Sequence, residues 1–179
     1  RNAVYPATIV GVPPMEDAYI AKATERIFLE PIRMAMLPEL NDMNLPFEGV
    51  AHNIALVRIS KAYPGHAYKV MNALWGAGQM MFNKILVALP ETIDIHNPNQ
   101  VIDCMLSSVD PEKDIHFGKG PLDVLDHSSN IAGIGSKLFI DATGNVSENI
   151  SVDIDADEIA RELTLYSSFV KAFNVKLIQ

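Results

Sequence analysis

Residues 85–89 read ILVAL, a run without a polar side chain. Alternate side chains of a strand point to opposite faces of its sheet, so a wholly apolar strand is typical of a sheet that is covered on both faces. Apolar residues at helical spacing occur both before and after this run. The run therefore favours an α/β fold, with helices on both faces of a sheet.

The rest of the chain continues this alternation. We predict a mixed, mostly parallel sheet with helices on both faces, in a single domain that covers residues 1–179. Residues 40–49 are expected to form a loop or a short edge strand, and the long stretch 118–144 is typical of a binding segment or a mobile tail. The predicted strands are 7–12, 52–60, 85–89, 114–119 and 138–140, and the predicted helices are 15–37, 64–82, 97–106 and 155–170.

The helix predicted at 15–37 has an apolar face and a proline. Four apolar residues fall on this face at helical spacing, which is typical of an amphipathic helix. Pro31 lacks the N–H that a helix interior needs, which predicts a kink or a second short helix at this point. The four residues of the face are Ile20, Ala23, Ile27 and Phe28.

Composition excludes several classes of function. The chain has 14 basic and 22 acidic residues, a formal net charge of −8, which argues against binding to nucleic acid or to an anionic membrane. Cys104 is its only cysteine, so a disulfide framework and a cysteine-based zinc site are excluded, in keeping with a reducing cytoplasm. No apolar run approaches the roughly 20 residues that span a bilayer.

A glycine-rich turn, GIGSK, begins at Gly133 and ends at Lys137. Backbone N–H groups and a lysine in such a turn can hold a phosphate, as in phosphate-binding loops. Neither established pattern is complete, because Leu138 stands where a dinucleotide fingerprint needs glycine and Ser136 precedes the lysine where a Walker loop has glycine. An ordinary turn and an anion contact both remain compatible with these residues.

The other chemistry-bearing residues do not form a complete local site. The five histidines lack metal-ligand spacing on one element, although His52, at the start of a strand, and His127, in the long stretch, can face a cleft. The run that starts at Asp153 lacks the glycine and the final glutamate of a calcium loop. Ser128 and Ser129 lie beside His127 in sequence, and members of a triad seldom do so.

Four blocks together resemble the C-terminal lobe of the UbiD family of decarboxylases, in order and spacing. The resemblance covers nearly the whole chain, and its most specific parts are the Tyr-Pro-Gly-His and Gly-Ser-Lys turns. Phrases such as AHNIAL and GPLDVLDHSS are similar to the quinone-pathway branch, of ubiquinone and above all menaquinone biosynthesis. The blocks are YPATIVGVPPMED (5–17), GVAHNIALVRISKAYPGHAYKVMNALWG (49–76), GPLDVLDHSS (120–129) and GIGSKLFIDAT (133–143).

This resemblance implies a carboxy-lyase that removes the carboxylate of aromatic or α,β-unsaturated acids without oxidation. Relatives use prenylated FMN, made by a flavin prenyltransferase and held with a manganese-type divalent ion and often potassium. The cofactor carries the difficult step, and the protein supplies binding and orientation. The resemblance also implies a homo-oligomer in the cytoplasm.

The family's catalytic arginine, acidic residues and metal ligands belong to a flavin-binding domain that precedes the matched blocks. The sequence therefore offers no catalytic residue and no metal ligand, and we expect this piece to be inactive alone. By motif match, Lys137 is the candidate for the flavin phosphate, and His52 and Leu56 are candidates for the substrate pocket. Two alternatives remain: a non-catalytic structural or oligomerisation module, and an independent flavin binder.

Overall fold

The computed structural model describes residues 15–49, 52–126 and 128–144, together with residue 164. The chain divides into two compact units, 1–146 and 147–179, and apart from residue 164 all described residues belong to the first. The strand predicted at 7–12 and His127 lie outside the described residues, as does the helix predicted at 155–170 except for residue 164. The assignment of the whole chain to one domain stays a prediction.

Five strands form a single mixed sheet in the order β1-β2-β3-β5-β4. The pairs β2–β3 and β3–β5 are parallel, and the edge strands β1 and β4 pair antiparallel with β2 and β5. The predicted α/β class and mixed sheet are confirmed. The strands are β1 (Leu40–Asn44), β2 (Ile54–Ile59), β3 (Ile85–Pro90), β4 (Ile115–Pro121) and β5 (Ile134–Asp141).

Helices cover both faces of this sheet, as the apolar run at β3 predicted. Three α-helices are described, α1 (Met15–Ala35), α2 (His66–Trp75) and α3 (Pro98–Ser108), with short 3-10 helices at Phe47–Gly49 and Gly78–Phe82. Side chains of α1 and α2 pack on the face that carries Val57 and Leu86. Side chains of α3 pack on the opposite face, which carries Val87 and Ile140.

The face of α1 that packs inward differs from the predicted one. Ile20 and Ile27 are 62% and 66% exposed, and Ala23 is exposed too, whereas Phe28 is partly buried. The buried face carries a carboxylate at its centre, Glu25, which accepts a hydrogen bond from the backbone N–H of Leu45. Glu25 interrupts the apolar pattern of the inner face, so periodicity alone favours the outer stripe. The buried face consists of Ala18, Ala21, Thr24, Glu25, Leu29 and Ile32.

The two helices predicted with a proline differ from their predicted extents. Pro31 lies inside a single helix α1, so no second helix begins there, and a kink at Pro31 stays a prediction. The next predicted helix, 64–82, is divided, because α2 ends at Trp75 with Gly76 as its C-cap. Pro64 precedes α2, whose N-cap is Gly65 in the left-handed region with φ of 81°. Glycine adopts this conformation without a steric penalty, so the helix begins after Gly65 and not at the predicted Pro64.

Residues 118–144 contain more regular structure than the sequence indicated. Strand β4 continues to Pro121, and the short strand predicted at 138–140 is eight residues long and begins at Ile134. Every residue of β4 pairs with one of β5, from Ile115 opposite Ile140 to Pro121 opposite Ile134. Glycines at 118, 120 and 135 weaken the strand signal, since glycine is depleted in strands.

No helix among residues 15–49, 52–126 and 128–144 is both long and apolar enough to span a membrane.

Candidate functional site

Strand β2 has a histidine near each of its ends. The parallel part of the sheet begins where Ile54, Ile85 and Leu138 lie side by side. His52, Lys84 and Lys137 each come just before this row, so the sheet brings them to the same, amino-terminal end. His66 follows the carboxyl end of β2 after a turn.

At the carboxyl end, both ring nitrogens of His66 are hydrogen-bonded. The backbone N–H of Ala62 donates to Nδ1 over 3.1 Å, so Nε2 carries the hydrogen and donates to Glu39 Oε1 over 2.9 Å. Lys69 Nζ donates to the same oxygen over 2.8 Å, and the Tyr63 ring stacks on the imidazole with 4.1 Å between ring centroids. We call these five residues the His66 cluster.

Glu39 is the charged centre of the His66 cluster. Burial opposes its ionisation, but hydrogen bonds from Lys69 and His66 outweigh burial and lower its pKa. A second ion pair lies at this end of the sheet, where Lys61 Nζ donates to Asp141 Oδ2 over 3.1 Å, whereas the buried Nε of Arg58 has no partner among the described residues. The His66 cluster and the Lys61–Asp141 pair thus occupy the carboxyl end with side chains that bond to each other.

At the amino end, only one ring nitrogen of His52 is bonded. Asp123 Oδ2 lies 2.8 Å from Nδ1, and the other oxygen of Asp123 accepts from the backbone N–H of Leu125 over 2.9 Å. An ionised carboxylate only accepts hydrogen bonds, so Nδ1 carries the hydrogen and Nε2 of a neutral ring is an acceptor. Nε2 is buried beside the Phe82 ring and has no partner in the part of the chain that the structure describes.

The segment after the second 3-10 helix joins His52 to a second ion pair. Asn83 is fully buried, donates from Nδ2 to the carbonyl of His52 over 2.9 Å, and leaves its own Oδ1 without a partner among the described residues. Lys84 Nζ donates to Asp126 Oδ1 over 3.0 Å and to the hydroxyl of Ser128. Asp126 Oδ2 is also buried and lacks a partner within the described ranges. Burial opposes ionisation of Asp126, but hydrogen bonds from Ser128 and Lys84 lower its pKa.

Lys137 completes this end of the sheet. Its side chain is buried, and Nζ donates to the carbonyl oxygens of Met81 and, over 3.0 Å, of Pro121. Nζ also lies 5.2 Å from the centroid of the Trp75 ring, a cation–π contact. Burial lowers the pKa of Lys137 to about 8. None of the described carboxylates pairs with this ammonium group.

Two glycines of β4 make room for Lys137 and Trp75. A Cβ at Gly118 would lie 3.1 Å from the Trp75 ring, and one at Gly120 would lie 3.3 Å from Lys137 Cδ. Glycine two residues apart leaves one face of a strand bare, which lets another group approach the backbone closely. This spacing is visible in the sequence, and it is a signal that sequence reasoning missed.

We call this amino-terminal group the polar edge. It unites two predicted site residues, His52 and Lys137, through the segment that carries Met81 and Lys84. It does not include Leu56, which is buried under α3 in the core of the opposite face. Sequence reasoning did not find the roles of Asn83, Lys84, Asp123 and Asp126. The members are His52, Asn83, Lys84, Asp123, Asp126 and Lys137.

The polar edge fits an anion at Lys137. The buried ammonium has only neutral partners, and the nearby Trp75 Nε1, a hydrogen-bond donor, is buried without a partner in the described part of the chain. A buried charge is costly unless it is paired, and a phosphate can supply both the opposite charge and an acceptor for the indole. Among the described residues, no group of three or more His, Cys, Asp or Glu side chains is placed to hold a metal ion.

A family model described as the 3-octaprenyl-4-hydroxybenzoate carboxy-lyase C-terminal domain matches residues 18–142. This chain belongs to the UbiD C-terminal domain family. The resemblance noted in the sequence is thereby confirmed, and UbiD-class enzymes are decarboxylases. The match contains His66, the polar edge and all five strands.

Relatives of this UbiD domain are longer proteins. An uncharacterized protein of Archaeoglobus fulgidus is 49% identical over 144 residues, which are 80% of this chain and 30% of that protein. Vanillic acid decarboxylase of Sedimentibacter hydroxybenzoicus, in its closed form, is 27% identical with a TM-score of 0.61, and the match covers 68% of this chain and 25% of the enzyme. The chain thus spans less than a third of the relatives named here.

HmfF, a UbiD-class enzyme of Pelotomaculum thermopropionicum whose structure is a complex with FMN, has the same fold as this UbiD domain. It is 24% identical with a TM-score of 0.63, over 75% of this chain and 29% of HmfF. An evolved dimeric form of HmfF is known in complex with prFMN, with a TM-score of 0.55, 21% identity and coverage of 70% of this chain and 26% of that one.

Proposed function

We propose that this UbiD domain belongs to an enzyme that decarboxylates aromatic or α,β-unsaturated carboxylic acids without oxidation, with prenylated FMN as cofactor. The observation that carries the proposal is the family match over residues 18–142, which includes the buried and uncompensated Lys137. The name of the vanillic acid decarboxylase supports an aromatic acid as substrate. We further propose a role in ubiquinone or menaquinone biosynthesis, on the phrases AHNIAL and GPLDVLDHSS.

In this proposal, Lys137 holds the phosphate of the flavin. Prenylated FMN, when bound, supplies the electron sink for loss of CO₂. The phosphate would give Nζ a negative partner and would favour the charged form of a group whose pKa burial lowers to about 8. To reach an anion, Nζ need not give up either carbonyl contact, since an ammonium group has three donors and only two are used within the described residues.

His52 contributes to the substrate pocket in this proposal, and Asp123 is its positioning residue. The hydrogen bond from Nδ1 to Asp123 fixes the ring so that Nε2 accepts, and the Phe82 ring borders it on one side. A group on the substrate that donates a hydrogen bond would satisfy Nε2. Leu56 was also predicted for this pocket, and a role there requires that α3 leave part of the side chain accessible in the intact enzyme.

The remaining parts of the machinery are assigned to the rest of the parent enzyme. We propose that the manganese-type ion, potassium and the catalytic residues are held there, so that this domain alone is inactive and covers the flavin cleft. A flavin prenyltransferase would supply the cofactor in the cytoplasm. The exposed stripe of Ile20, Ile27 and Met34 on α1 supports contacts with other parts of the enzyme or with further subunits of a homo-oligomer. A structural module without any link to catalysis is the alternative.

The decisive experiment compares variants of the full-length parent, co-expressed with a flavin prenyltransferase. We expect Lys137→Ala to lower both the flavin bound per subunit and the release of CO₂ from an aromatic acid by at least about tenfold. This is the effect expected when one charge-assisted hydrogen bond to the cofactor is lost. Lys113→Ala is the control, because Lys113 is 77% exposed and pairs with Asp110. Full flavin content in the Lys137 variant would remove Lys137 from the cofactor site. A wild-type parent that assembles but holds no prenylated flavin would support the structural module instead.

A further inference from the structure

A cavity of about 310 Å³ opens beside the β4–β5 hairpin. We call it the hairpin pocket. Its polar lining includes Lys84, Lys119, Ser128, Asn130 and Ser136. An apolar wall is formed by Leu122, Ile131 and Ile134. Cavities of this size lie at the lower end of the range for small-molecule sites.

The charge of this lining is opposite to that of the chain. Two lining residues are basic and none is acidic, although the formal net charge of the whole protein is −8. Lys84 is fixed by its ion pair with Asp126, so its charge is partly neutralised. Lys119 has no partner in the described part of the chain, and its charge is uncompensated. The pocket therefore offers a net positive charge at Lys119 with an ordered second ammonium at Lys84.

Half of the polar side chains that line the pocket, those of Lys119, Asn130 and Ser136, are donors without a partner among the described residues, whereas Lys84, Ser128 and Ser129 are already hydrogen-bonded. Ser136 lies directly opposite Lys119 in the β4–β5 register, so the two side chains share one face of the hairpin. No hydrogen bond ties the side chains of Ser136 and Asn130 to the rest of the described chain. An ammonium, a hydroxyl and an amide on one wall form a set that suits the oxygen atoms of an anion.

The hairpin pocket is separate from Lys137. Neighbouring residues of a strand point to opposite faces, so Lys119 and Ser136 face one way while Gly118 and Lys137 face the other. Lys137 Nζ, moreover, is directed to the carbonyls of Met81 and Pro121. Two cationic positions thus lie back to back across this hairpin, and only one of them is buried.

We propose that the hairpin pocket binds the phosphate group of a small phosphorylated molecule, with Lys119 and Ser136 as its main contacts. Phosphate presents three acceptor oxygens and close to two negative charges at neutral pH, which suits two lysines and several short donors. The apolar wall of Ile131 and Ile134 suits an organic portion of the ligand better than inorganic phosphate alone. The proposal does not rest on the proposed decarboxylase function.

Calorimetric titration of the 179-residue chain with phenyl phosphate at constant ionic strength tests the proposal. We expect Lys119→Gln to weaken binding about tenfold, as the loss of one charge-assisted hydrogen bond predicts. Ser136→Val, on the same face, should weaken binding about fivefold by removing a donor and narrowing the pocket. Lys113→Gln removes the same charge from an exposed site before β4 and should change the dissociation constant by less than about twofold.

Three results would overturn the proposal. Equal weakening by Lys119→Gln and Lys113→Gln would mean that only net charge matters. Tighter binding of benzoate than of phenyl phosphate would mean that the pocket selects carboxylates. Amide chemical shifts that respond to phenyl phosphate around Met81 and Pro121, with none at Asn130 and Ser136, would place the phosphate at Lys137. This last measurement uses the unaltered chain and does not depend on the folding of any variant.

Discussion

The two ends of β2 use the same pair of groups, a histidine and a carboxylate, in different ways. In the His66 cluster, both ring nitrogens and the carboxylate are bonded, and a lysine and a tyrosine complete the packing. At the polar edge, His52 is bonded through Nδ1 alone, and buried atoms of His52, Asn83 and Asp126 lack partners among the described residues. A buried polar atom without a partner costs about 1–3 kcal/mol, so the polar edge retains binding capacity that the His66 cluster has used.

If the polar edge holds the cofactor as proposed, the ligand lies at the end of the sheet opposite to the usual one. Ligands of open α/β sheets generally bind beyond the carboxyl ends of the strands. In this domain, Lys61, Asp141 and the His66 cluster occupy that end with mutual hydrogen bonds. The groups suited to a ligand lie at the amino ends, where antiparallel β4 brings Pro121 and Gly120 next to Lys137. The edge strand of opposite direction thus supplies a carbonyl contact, from Pro121, to the buried Lys137.

The largest effect is expected from breaking the His66 cluster. His66→Ala leaves Glu39 buried with Lys69 as its remaining side-chain partner and removes the acceptor for the N–H of Ala62. We expect the free energy of unfolding to fall by about 3 kcal/mol, as for other buried pairs that lose one member. Urea denaturation followed by circular dichroism measures this loss. His116→Ala, at an exposed histidine, is the matched control, and a loss below about 1 kcal/mol in His66→Ala would show that the cluster is not the closed structure described here.

The charge of Lys137 predicts a pH dependence of stability. Its pKa is about 8 in the folded protein, against about 10.4 in an unfolded chain, so between these values the unfolded chain holds a proton that the folded protein has released. The unfolded state then binds more protons, and the free energy of unfolding rises with pH across this window, by up to about 3 kcal/mol relative to pH 7.

Denaturation at pH 7, 8, 9 and 10 measures this increase, with Lys137→Met as the reference that lacks the titrating group. Subtracting the two profiles removes the contributions of the tyrosines and the other lysines. Parallel profiles would contradict the buried, uncompensated ammonium. Loss of the difference when flavin phosphate is bound to the intact enzyme would connect the same group to the cofactor.

The centre of the sheet was predictable from sequence because its signal is local, whereas the glycine-containing ends of β4 and β5 were not. A fully apolar run such as residues 85–89 is typical of a strand between two covered faces. Helix α3 begins after Asn97, whose side chain accepts hydrogen bonds from the N–H groups of Asn99 and Gln100. The inner face of α1 was not predictable in this way. Its central residue, Glu25, is buried and accepts a hydrogen bond from the backbone N–H of Leu45, which is 20 residues away. The spacing of apolar residues along one helix does not predict such a contact.

The polar edge was predictable only in part, for the same reason. His52 and Lys137 were found through the family resemblance, and the match to the UbiD domain confirms the family without testing the two residues. Asp123 and Asp126 lie 71 and 42 residues from the basic groups that they pair with. Their roles depend on the tertiary packing that brings the segment after β4 next to the start of β2. Residue spacing within a single helix or strand does not predict such a long-range contact.

Two lysine substitutions, one at each end of β2, test the same comparison through smaller losses of stability. Lys84→Met removes the cation from Asp126, whose other oxygen already lacks a partner in the described ranges, and we expect a loss of about 2 kcal/mol. Lys69→Met removes a 45% exposed lysine from Glu39, which keeps its bond to His66, and should cost about 0.5 kcal/mol, as exposed ion pairs do. Parallel urea titrations compare the two variants. Equal losses would mean that the polar edge is as fully paired as the His66 cluster.

A loss well below that of His66→Ala is expected at His52, although its side chain is only 12% exposed. His52→Ala breaks one hydrogen bond, to Asp123, and loses nothing at Nε2, which has no partner among the described residues. The free energy of unfolding should fall by about 1 kcal/mol, roughly a third of the loss in His66→Ala. The same denaturation assay gives both numbers. If His52→Ala lowers the free energy of unfolding as much as His66→Ala does, Nε2 has a partner in the folded protein and the two ends of β2 are equivalent. If the loss of stability is small while the intact enzyme loses substrate affinity, His52 serves ligand binding and not the stability of the fold.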